Sequence, residues 1–547
     1  MRHAHAALSN VQLRQLRFVT AAIAVSLFAL VVPVVVAAVP PLLDYPNHLA
    51  RLWLLGGGSE MPPVSTMYRI TWDTLTNIGI DLLAVVLTQL FDYDVVGRLF
   101  VAVAVILPAF GGVVLSRVLH GRVHWWQLSF GLLAWSTGLL SGFLNFEIGL
   151  GLALLAAAAD PALARRGAVS LAGGRVALAA LLVLMHLFAC LFYAALLCAI
   201  AFGPEFRPFG QRRAILQIGK SVLVIVVTLA MPVLLLAFLA AKLPGSHSGG
   251  GLHAIWSEFQ FGLIHVMRAP GAKLKALFIG IRSYGYWLDG LTLAVLGLPV
   301  LVFMVMRRLS VHAGMLVVSI GLLACYVVFP EYLAATDAVD VRFALMAPLV
   351  LAVALRPELP YRPALAVAAS LFIVSLTRTS VIAGIWHDRQ EDVSAMFRAL
   401  AAVEPGAAVL PLEHQVLKAA GGPIGRYSAM HVPSFRHLPT LALPWRRAFV
   451  PTLFAFRGKQ PIEVLSPWDE ISEPNGGFLA SVQALVDPAV YAAALPGAPY
   501  LKGWRERFDF ALVVNADMRD DNGSFVPPIG MELVADEGFA QLYRIKR

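Results

Sequence analysis

The chain has 547 residues, of which 59% are hydrophobic and only 14% are charged, and its mean hydropathy is +0.75. A soluble protein carries about 25% charged residues, so these values exclude an ordinary soluble protein and indicate a chain surrounded mostly by lipid. The net charge of +9 does not indicate a nucleic-acid partner, because Arg and Lys cluster in short gaps between apolar runs, as in cytoplasmic loops. Such pairs are Arg165 and Arg166, Arg212 and Arg213, and Arg307 and Arg308.

Apolar runs follow one another through residues 1–384, which we predict to be a multi-pass transmembrane domain. A spanning helix needs roughly 20 apolar residues. Long runs lie at 18–39, 95–115, 175–203, 217–241, 311–329 and 363–384, and shorter or interrupted ones at 79–91, 126–141, 143–159, 291–306 and 342–355. The first run exceeds the about 7–15 residues of a signal-peptide core, so we expect a retained anchor with a cytoplasmic N-terminus, although Val36 and Ala38 would tolerate cleavage.

These runs predict about eleven crossings, which place the C-terminal region outside. Taken literally, the count also places Arg165, Arg166 and Arg175 outside, against the charge rule. An alternative makes 79–91 interfacial and divides 175–203 into two pieces that turn near His186. Both versions place the same segments outside, namely the loops 41–78 and 242–290, the connection 330–341, and everything after about 385.

Residues 385–547 change in character and predict a soluble α/β domain on the outer side. A polar helix at about 388–403 ends at Pro405-Gly406, and the apolar run 407–410 is typical of a strand. The stretches 508–514 and 539–545 also have the length and pattern of strands, with an Asp-Asn-Gly turn at 521–523 between them. The Asn522-Gly-Ser sequon falls in this turn. The fold class is therefore a polytopic α-helical membrane protein with a C-terminal soluble α/β domain.

The second outer loop and the cysteines offer weaker signals. Segment 252–287 mixes aromatic and basic residues and predicts amphipathic helices at the lipid headgroups. His247 and His253 flank three glycines, which is compatible with a weak metal site or with ordinary loop polarity. Cys190, Cys198 and Cys325 all lie in apolar runs and have no metal-ligand spacing.

The most informative stretch follows the first apolar run. Asp44 lies just beyond it and precedes Pro46, a short amphipathic helix at 48–55, and three glycines. We expect this helix to lie along the membrane surface and to hold Asp44 at the interface. Asp44 and Asn47 are both candidates to cap the helix, but Asn47 is the better cap because Pro46 restricts the residue before it. Asp44 is then left without a structural role.

An Asp in the first outer loop, just after the first helix, resembles the GT-C superfamily of membrane glycosyltransferases, and the ending FDFALVV followed by LVADEGFAQLYRIKR is similar to the tails of bacterial members. The resemblance implies a GT-C-like helical body and transfer of a sugar from a polyprenyl-phosphate donor, with inversion expected. It also implies that Asp44 is the catalytic base, taking the proton of the acceptor hydroxyl. His48 would assist, bind phosphate, or only hydrogen-bond locally.

The chain departs from many GT-C members because it has a single acid at this spot instead of an Asp-x-Asp or Asp-Glu pair. The resemblance therefore allows a divalent metal without requiring one, and no residue is assigned as a metal ligand. A lipid phosphate that leaves during transfer needs cationic donors at the same depth. The outer-face candidates are Arg51, Arg268, Lys273, Arg282 and Arg342.

Two of these cations have a structural alternative. Arg51 could extend to lipid headgroups, and Arg342 follows Asp337 and Asp340, so an internal ion pair is as plausible as phosphate binding. Asn145 and Glu147 interrupt an apolar stretch and either line a substrate cavity or, for Glu147, stabilise a helix N-terminus. The basic and aromatic segment 426–447 would rest on the membrane, contact an acceptor glycan, or form a solvated face.

The function expected first is a membrane glycosyltransferase that acts on a glycan, lipid or protein acceptor at the cell envelope. The alternatives are a lipid or solute transporter or flippase, for which inverted repeats are expected and not found, and a non-catalytic protein of envelope assembly. The alanine-rich, lysine-poor composition is typical of a high-GC bacterium. We therefore expect the bacterial inner membrane, with the C-terminal domain in the periplasm and membrane lipids as neighbours.

Overall fold

The computed structural model describes residues 10–74, 76–204, 212–240, 273, 278–333, 336–358, 360–415, 422–427, 432–518 and 525–547. Within these ranges the chain is mostly helical, with a small sheet in its C-terminal part. Seven helical segments are long and apolar enough to cross a membrane: Leu16–Val36, Tyr93–His120, Leu144–Arg165, Ala168–Met185, Ile218–Leu235, Tyr286–Val305 and Arg362–Ala402. Two apolar helices, Leu187–Phe202 and Ala313–Val328, are shorter. The multi-pass character agrees with the sequence, and the count of eleven crossings stays a prediction.

The helix bounds refine the predicted runs. Among the described residues before 389, the α-helices are Asn10–Ala29, Val32–Val36, Tyr45–Leu55, Gly79–Leu87, Tyr93–His120, Ser129–Leu133, Thr137–Leu140, Leu144–Arg165, Ala168–Met185, Leu187–Phe202, Arg212–Ala240, Tyr286–Val305, Ala313–Val328, Val339–Ala354 and Tyr361–Asp388. The run 175–203 is divided at His186, as the alternative topology requires, because the backbone there is extended and its side chain caps the second helix. The expected span 126–141 is instead a series of short helices, so that prediction of one helix was wrong.

The first apolar helix packs into the helical body. The hydroxyl groups of Ser26 and Ser375 lie 3.1 Å apart, and this contact joins it to helix Tyr361–Asp388. Small hydroxyl side chains of this kind let apolar helices approach closely and add a hydrogen bond where no water competes. The segment therefore forms part of the bundle.

The ends of the helices contact one another at two levels, which lie near the two opposite ends of helix Tyr93–His120. At one level, the His120 ring lies 2.9 Å from the carbonyl of Val353, and the Glu358 amide donates to the carbonyl of Arg308. At the other level, the Leu43 amide donates to the carbonyl of Leu140 at 3.0 Å. Helix Tyr93–His120 connects the two levels, since its 28 residues extend about 42 Å. The arginine-rich turn at 307–308 is thus remote from the level that holds Asp44.

The described part of the chain contains, in order, the strands β1 (Tyr68–Ile70), β2 (Leu309–Val311), β3 (Leu355–Pro357), β4 (Val409–Glu413), β5 (Ile462–Val464), β6 (Ala480–Ser481), β7 (Phe510–Val514), β8 (Met531–Asp536) and β9 (Ala540–Ile545). Five of them form one sheet in the order β6-β4-β7-β9-β8. Strand β4 is parallel to both β6 and β7, whereas β9 is antiparallel to β7 and β8. The helices Gln390–Ala399, Ala442–Arg446, Pro488–Ala494 and Trp504–Arg507 complete this region.

The strands of this sheet test three of the predicted strands. Strands β7 and β9 match the runs 508–514 and 539–545. The run 407–410 was placed too early, because the strand extends over Val409–Glu413, where it is completely buried between β6 and β7. The predicted turn at 521–523, with the Asn522 sequon, lies outside the described residues.

The loop 41–78 joins the C-terminal region directly. Strand β1 pairs with β5 in antiparallel register, with Arg69 opposite Glu463. In addition, the side chain of Asn47 accepts a bond from the Phe454 amide (2.8 Å) and approaches the carbonyl of Thr452 (3.4 Å). These contacts fix the C-terminal region over the loop that carries Asp44.

Candidate functional site

Asp44 lies at the N-terminus of helix Tyr45–Leu55. This helix begins three residues earlier than the sequence predicted. Its amide donates to the carbonyl of Ser141 at 3.1 Å. The next residue, Gly142, has a φ of 84°, and a Cβ there would lie 2.9 Å from the Asp44 nitrogen, so this close approach requires glycine. The carboxylate makes no capping bond, and 19% of the side chain is exposed. It is held in place by backbone contacts and stays accessible.

One prediction about this helix was wrong. Asn47 does not cap it, because its amide group bonds to the backbone at Thr452 and Phe454. Ten of the eleven residues of the helix are buried within the protein, and its position along the membrane surface stays a prediction. The C-terminal region covers the side that the hydrophobic pattern assigned to water. Asp44 therefore lies between the helical body and the C-terminal region.

Arg51 and His48 form a buried network with Asp81. The Nε of Arg51 lies 2.7 Å from a carboxylate oxygen of Asp81, and both side chains are almost fully buried. A second guanidinium nitrogen lies 2.9 Å from Nδ1 of His48, whose Nε2 lies 3.2 Å from the Gly142 carbonyl. Burial lowers the pKa of His48 well below its usual range, so the ring is neutral, accepting from Arg51 and donating to Gly142. The suggestion that Arg51 extends to headgroups was wrong, and this network instead supports the backbone beside Asp44.

The charges around Asp44 come from distant parts of the chain. Burial raises the pKa of the Asp44 carboxyl group to about 7, and the carboxylate of Asp337 adds to this rise, although Arg436, Arg342 and, more weakly, Arg51 act to lower the pKa. His437 lies nearest, with its Nε2 3.7 Å from Asp44 Oδ1. Burial lowers the pKa of His437 to about 3, so this ring is neutral and does not neutralise the carboxylate. Near neutral pH, Asp44 is poised between its protonated and ionised forms.

Arg342 lies at the start of helix Val339–Ala354. One of its terminal nitrogens bonds to the backbone carbonyls of Asp337 (2.5 Å) and Ala338 (2.8 Å), and its buried Nε has no hydrogen-bond partner among the described residues. Its guanidinium group also lies over the rings of Phe143, Phe146 and Phe188, at 5.1–5.9 Å from their centres. The carboxylate of Asp340 pairs with Lys273 instead. In the described ranges, no carboxylate lies within ion-pair distance of Arg342.

Arg436 and His437 were not singled out individually from the sequence. Their only signal was membership of the basic and aromatic segment 426–447, which lies about 390 residues from Asp44 along the chain. Arg436 lies over the ring of Phe478 at 4.5 Å, and no described residue accepts a hydrogen bond from its guanidinium group. Burial lowers the pKa of Arg436, while the carboxylates of Glu413, Asp44 and Asp337 raise it. Arg436 is thus a partly buried cation that faces several acids and pairs closely with none of them in the described part of the chain.

The other predicted cations lie elsewhere or outside the description. Lys273 pairs with Asp340 and contacts the carbonyl of Phe329 at 3.2 Å. Arg282 lies over the Tyr286 ring at 5.4 Å. Neither is among the groups that act on Asp44. Arg268, His247, His253 and most of the segment 252–287 lie outside the described residues.

Asn145 and Glu147 are buried and hydrogen-bonded within the protein. Asn145 accepts from the Ile80 amide at 3.0 Å and donates to the carbonyl of Asn77 at 2.9 Å. Glu147 lies in the first turn of Leu144–Arg165 and accepts a bond from the Ser136 hydroxyl at 3.0 Å. For Glu147, its place in the first turn of its helix favours the structural alternative, whereas Asn145 is held by the backbone of Asn77 and Ile80.

Among the residues described, no group of three or more His, Cys, Asp and Glu side chains is placed to hold a metal ion. No protein-family model and no curated protein matches the chain. The Asp44 carboxylate is accessible and has a pKa near neutrality, and two arginines act on it electrostatically. Neither arginine has a carboxylate within ion-pair distance in the described ranges.

Proposed function

We propose that the protein is a membrane glycosyltransferase that transfers a sugar from a polyprenyl-phosphate donor to an acceptor hydroxyl at the outer face, with Asp44 as the base. The observation that carries the proposal is the accessible Asp44 carboxylate, on which Arg436 and Arg342 act more strongly than any other cation. A base works best when its pKa lies near the working pH, and that of Asp44 is about 7. The GT-C resemblance points to the same residue.

The reaction follows from this arrangement. The acceptor oxygen attacks the anomeric carbon while its proton moves to Asp44, and the bond from that carbon to the phosphate oxygen breaks. Negative charge develops on the departing lipid phosphate, where arginine groups stabilise it best. We assign the stabilisation of this charge to Arg342 and Arg436, because no nearby carboxylate among the described residues engages the N–H donors of their guanidinium groups. A single displacement inverts the configuration at the anomeric carbon.

We place the lipid chain of the donor in a cavity that borders helix Tyr45–Leu55. Its volume is about 280 Å³. Its lining includes Val39, Leu49, Tyr93, Asp94 and Trp445 but not Asp44, Arg342 or Arg436. It lies beside the ends of the apolar helices Leu16–Val36 and Tyr93–His120, the level at which a lipid chain meets its polar head. With eleven crossings and a cytoplasmic N-terminus, this level faces the periplasm of a bacterial inner membrane.

The proposal is tested by following radiolabelled hexose and pentose from polyprenyl-phosphate donors into membrane acceptors. Wild type should transfer label and Asp44→Asn should lose at least about 100-fold, the contribution of a positioned general base. Glu60→Gln is the matched control, since Glu60 is an exposed acid of the same loop. Equal transfer by wild type and Asp44→Asn would remove Asp44 as the base. If the label crosses the membrane without forming a new bond, the protein is instead a transporter or flippase. If the label neither crosses the membrane nor is transferred, the result indicates an assembly protein.

A further inference from the structure

The C-terminal sheet has a second acidic position at the end of its central parallel strand. Strand β4 has parallel neighbours on both sides, and the chain visits β6 on one side before β7 on the other. Reversals of this kind leave a crevice outside the carboxyl ends of the strands, where open α/β sheets bind their ligands. Glu413 is the last residue of β4, opposite Ser481 and Val514. It therefore lies at the mouth of this crevice.

The contacts of Glu413 do not account for a buried carboxylate at this position. Its residue surface is 9% exposed, and its carboxylate accepts one hydrogen bond, from Gln415 at 3.2 Å, among the described residues. Burial raises the pKa of Glu413 to about 7, which means that folding opposes its charge. Buried carboxylates without close partners are typical of binding and catalytic positions.

Arg436 connects Glu413 with the proposed active site. It interacts electrostatically with both Glu413 and Asp44, so Arg436 lies in the neighbourhood of both carboxylates. Its five N–H donors suffice for a phosphate and for a further oxygen. The adjoining Phe478 ring is 62% exposed, which leaves a large apolar surface beside these charges.

We propose that Glu413, Arg436 and Phe478 form the acceptor subsite and that the acceptor is a pyranose glycan, an inference that rests on the proposed transferase function. Each sugar hydroxyl is both a donor and an acceptor, so it matches a carboxylate beside a guanidinium group. The C–H face of a pyranose packs on an exposed aromatic ring. A sugar held between Glu413 and Arg436 presents another hydroxyl to Asp44. A lipid acceptor would leave Glu413 buried without a partner.

The test separates acceptor binding from donor chemistry in the purified full-length protein. Polyprenyl-phosphate-linked radiolabelled sugars serve as donors, and methyl glucoside, methyl mannoside and methyl galactoside serve as acceptor probes. Two products are measured, the labelled disaccharide and the free sugar that forms when water replaces the acceptor. Glu413→Gln should raise the KM for the methyl glycoside about tenfold, the loss of one hydrogen bond to a charged group, and leave donor hydrolysis unchanged.

Two further variants complete the experiment. Glu404→Gln, an exposed acid just before β4, should leave both products unchanged. Phe478→Ala should raise the same KM and keeps the test decisive if Glu413→Gln does not fold. Donor hydrolysis with an unchanged KM in both crevice variants would overturn the subsite and retain the transferase. An equal loss of both products, or transfer to lipid alcohols and not to the glycosides, would also overturn it. Absence of both products in wild type would overturn the proposed function itself.

Discussion

Folding raises the pKa of Asp44 and so disfavours its charged form. The pH dependence of the free energy of unfolding therefore reports on this residue. Its pKa is about 7 in the folded protein against an ordinary value of 3.8. Between these two pH values the folded state retains a proton that the unfolded chain has lost. The free energy of unfolding should therefore decrease as pH rises from about 4 to 7 and stay low above 7. The carboxylate destabilises the fold at neutral pH, as expected of a residue kept for function.

Asp44→Asn should consequently be more stable than wild type at pH 8, by at most about 4 kcal/mol from the size of the pKa shift. At pH 4 the two proteins should unfold alike, because Asp44 is then protonated in the folded state. Thermal unfolding in detergent at both pH values measures this difference, with Glu60→Gln as the control. A variant that is less stable than wild type at pH 8 would show that Asp44 has a structural role.

Arg51 should behave differently, because its guanidinium group is already paired. Removing one partner from a buried ion pair costs about 3–5 kcal/mol, whereas replacing both by apolar groups is often tolerated. We expect Asp81→Asn to lower the melting temperature strongly and the double variant Arg51→Met with Asp81→Leu to recover most of it. Unfolding of purified variants in detergent checks this. If Asp81→Asn is as stable as wild type but inactive, Arg51 contacts substrate instead.

At the scale of elements, the sequence predicted what depends on local composition. Long apolar helices and the strands β7 and β9 need nothing beyond their own residues to be recognised. The burial of helix Tyr45–Leu55 was missed because it depends on a region about 400 residues later, which covers it. For the same reason Asp44 could be chosen, whereas Arg436 and His437 could not be assigned to its surroundings. Pairing across such distances leaves no periodic signal in one sequence.

The β1–β5 contact offers a direct test of this docking. Arg69 and Glu463 lie opposite each other and are exposed enough to be replaced without loss of the core. The double variant Arg69→Cys with Glu463→Cys should form a disulfide, since cross-strand Cα atoms lie about 5.5 Å apart. Mobility on non-reducing gels detects the bond, and Arg69→Cys alone is the control for the three native cysteines.

The crosslinked protein should retain transfer within about twofold, because the β1–β5 bond holds the C-terminal region where the proposed site is complete. Activity is compared in the same sample before and after reduction. A crosslinked protein that is inactive until it is reduced would mean that the C-terminal region must move away from the loop during turnover.

At the scale of the whole molecule, the proposed site belongs neither to the helical body alone nor to the C-terminal region alone. Asp44 comes from the loop 41–78, Arg342 from the start of helix Val339–Ala354, and Arg436 from the C-terminal region. The backbone contacts at Ser141 and the side chain of Asn47 bring these parts together. Substrate groups that meet between them would explain why the C-terminal region covers the loop.

If Arg342 and Arg436 hold the same phosphate, their effects on catalysis must be coupled. Each single change to Ala should lower kcat/KM about 10- to 100-fold, the loss of a charge-assisted hydrogen bond. The double variant should lose less than the product of the two single effects, because residues that share a partner are not additive. Transfer from the radiolabelled donor measures all three, and Arg282→Ala, which removes a cation that does not act on Asp44, should change the rate less than about threefold. Multiplicative effects of Arg342→Ala and Arg436→Ala would mean that the two arginines bind separate groups, and the phosphate would then have to be assigned to one of them.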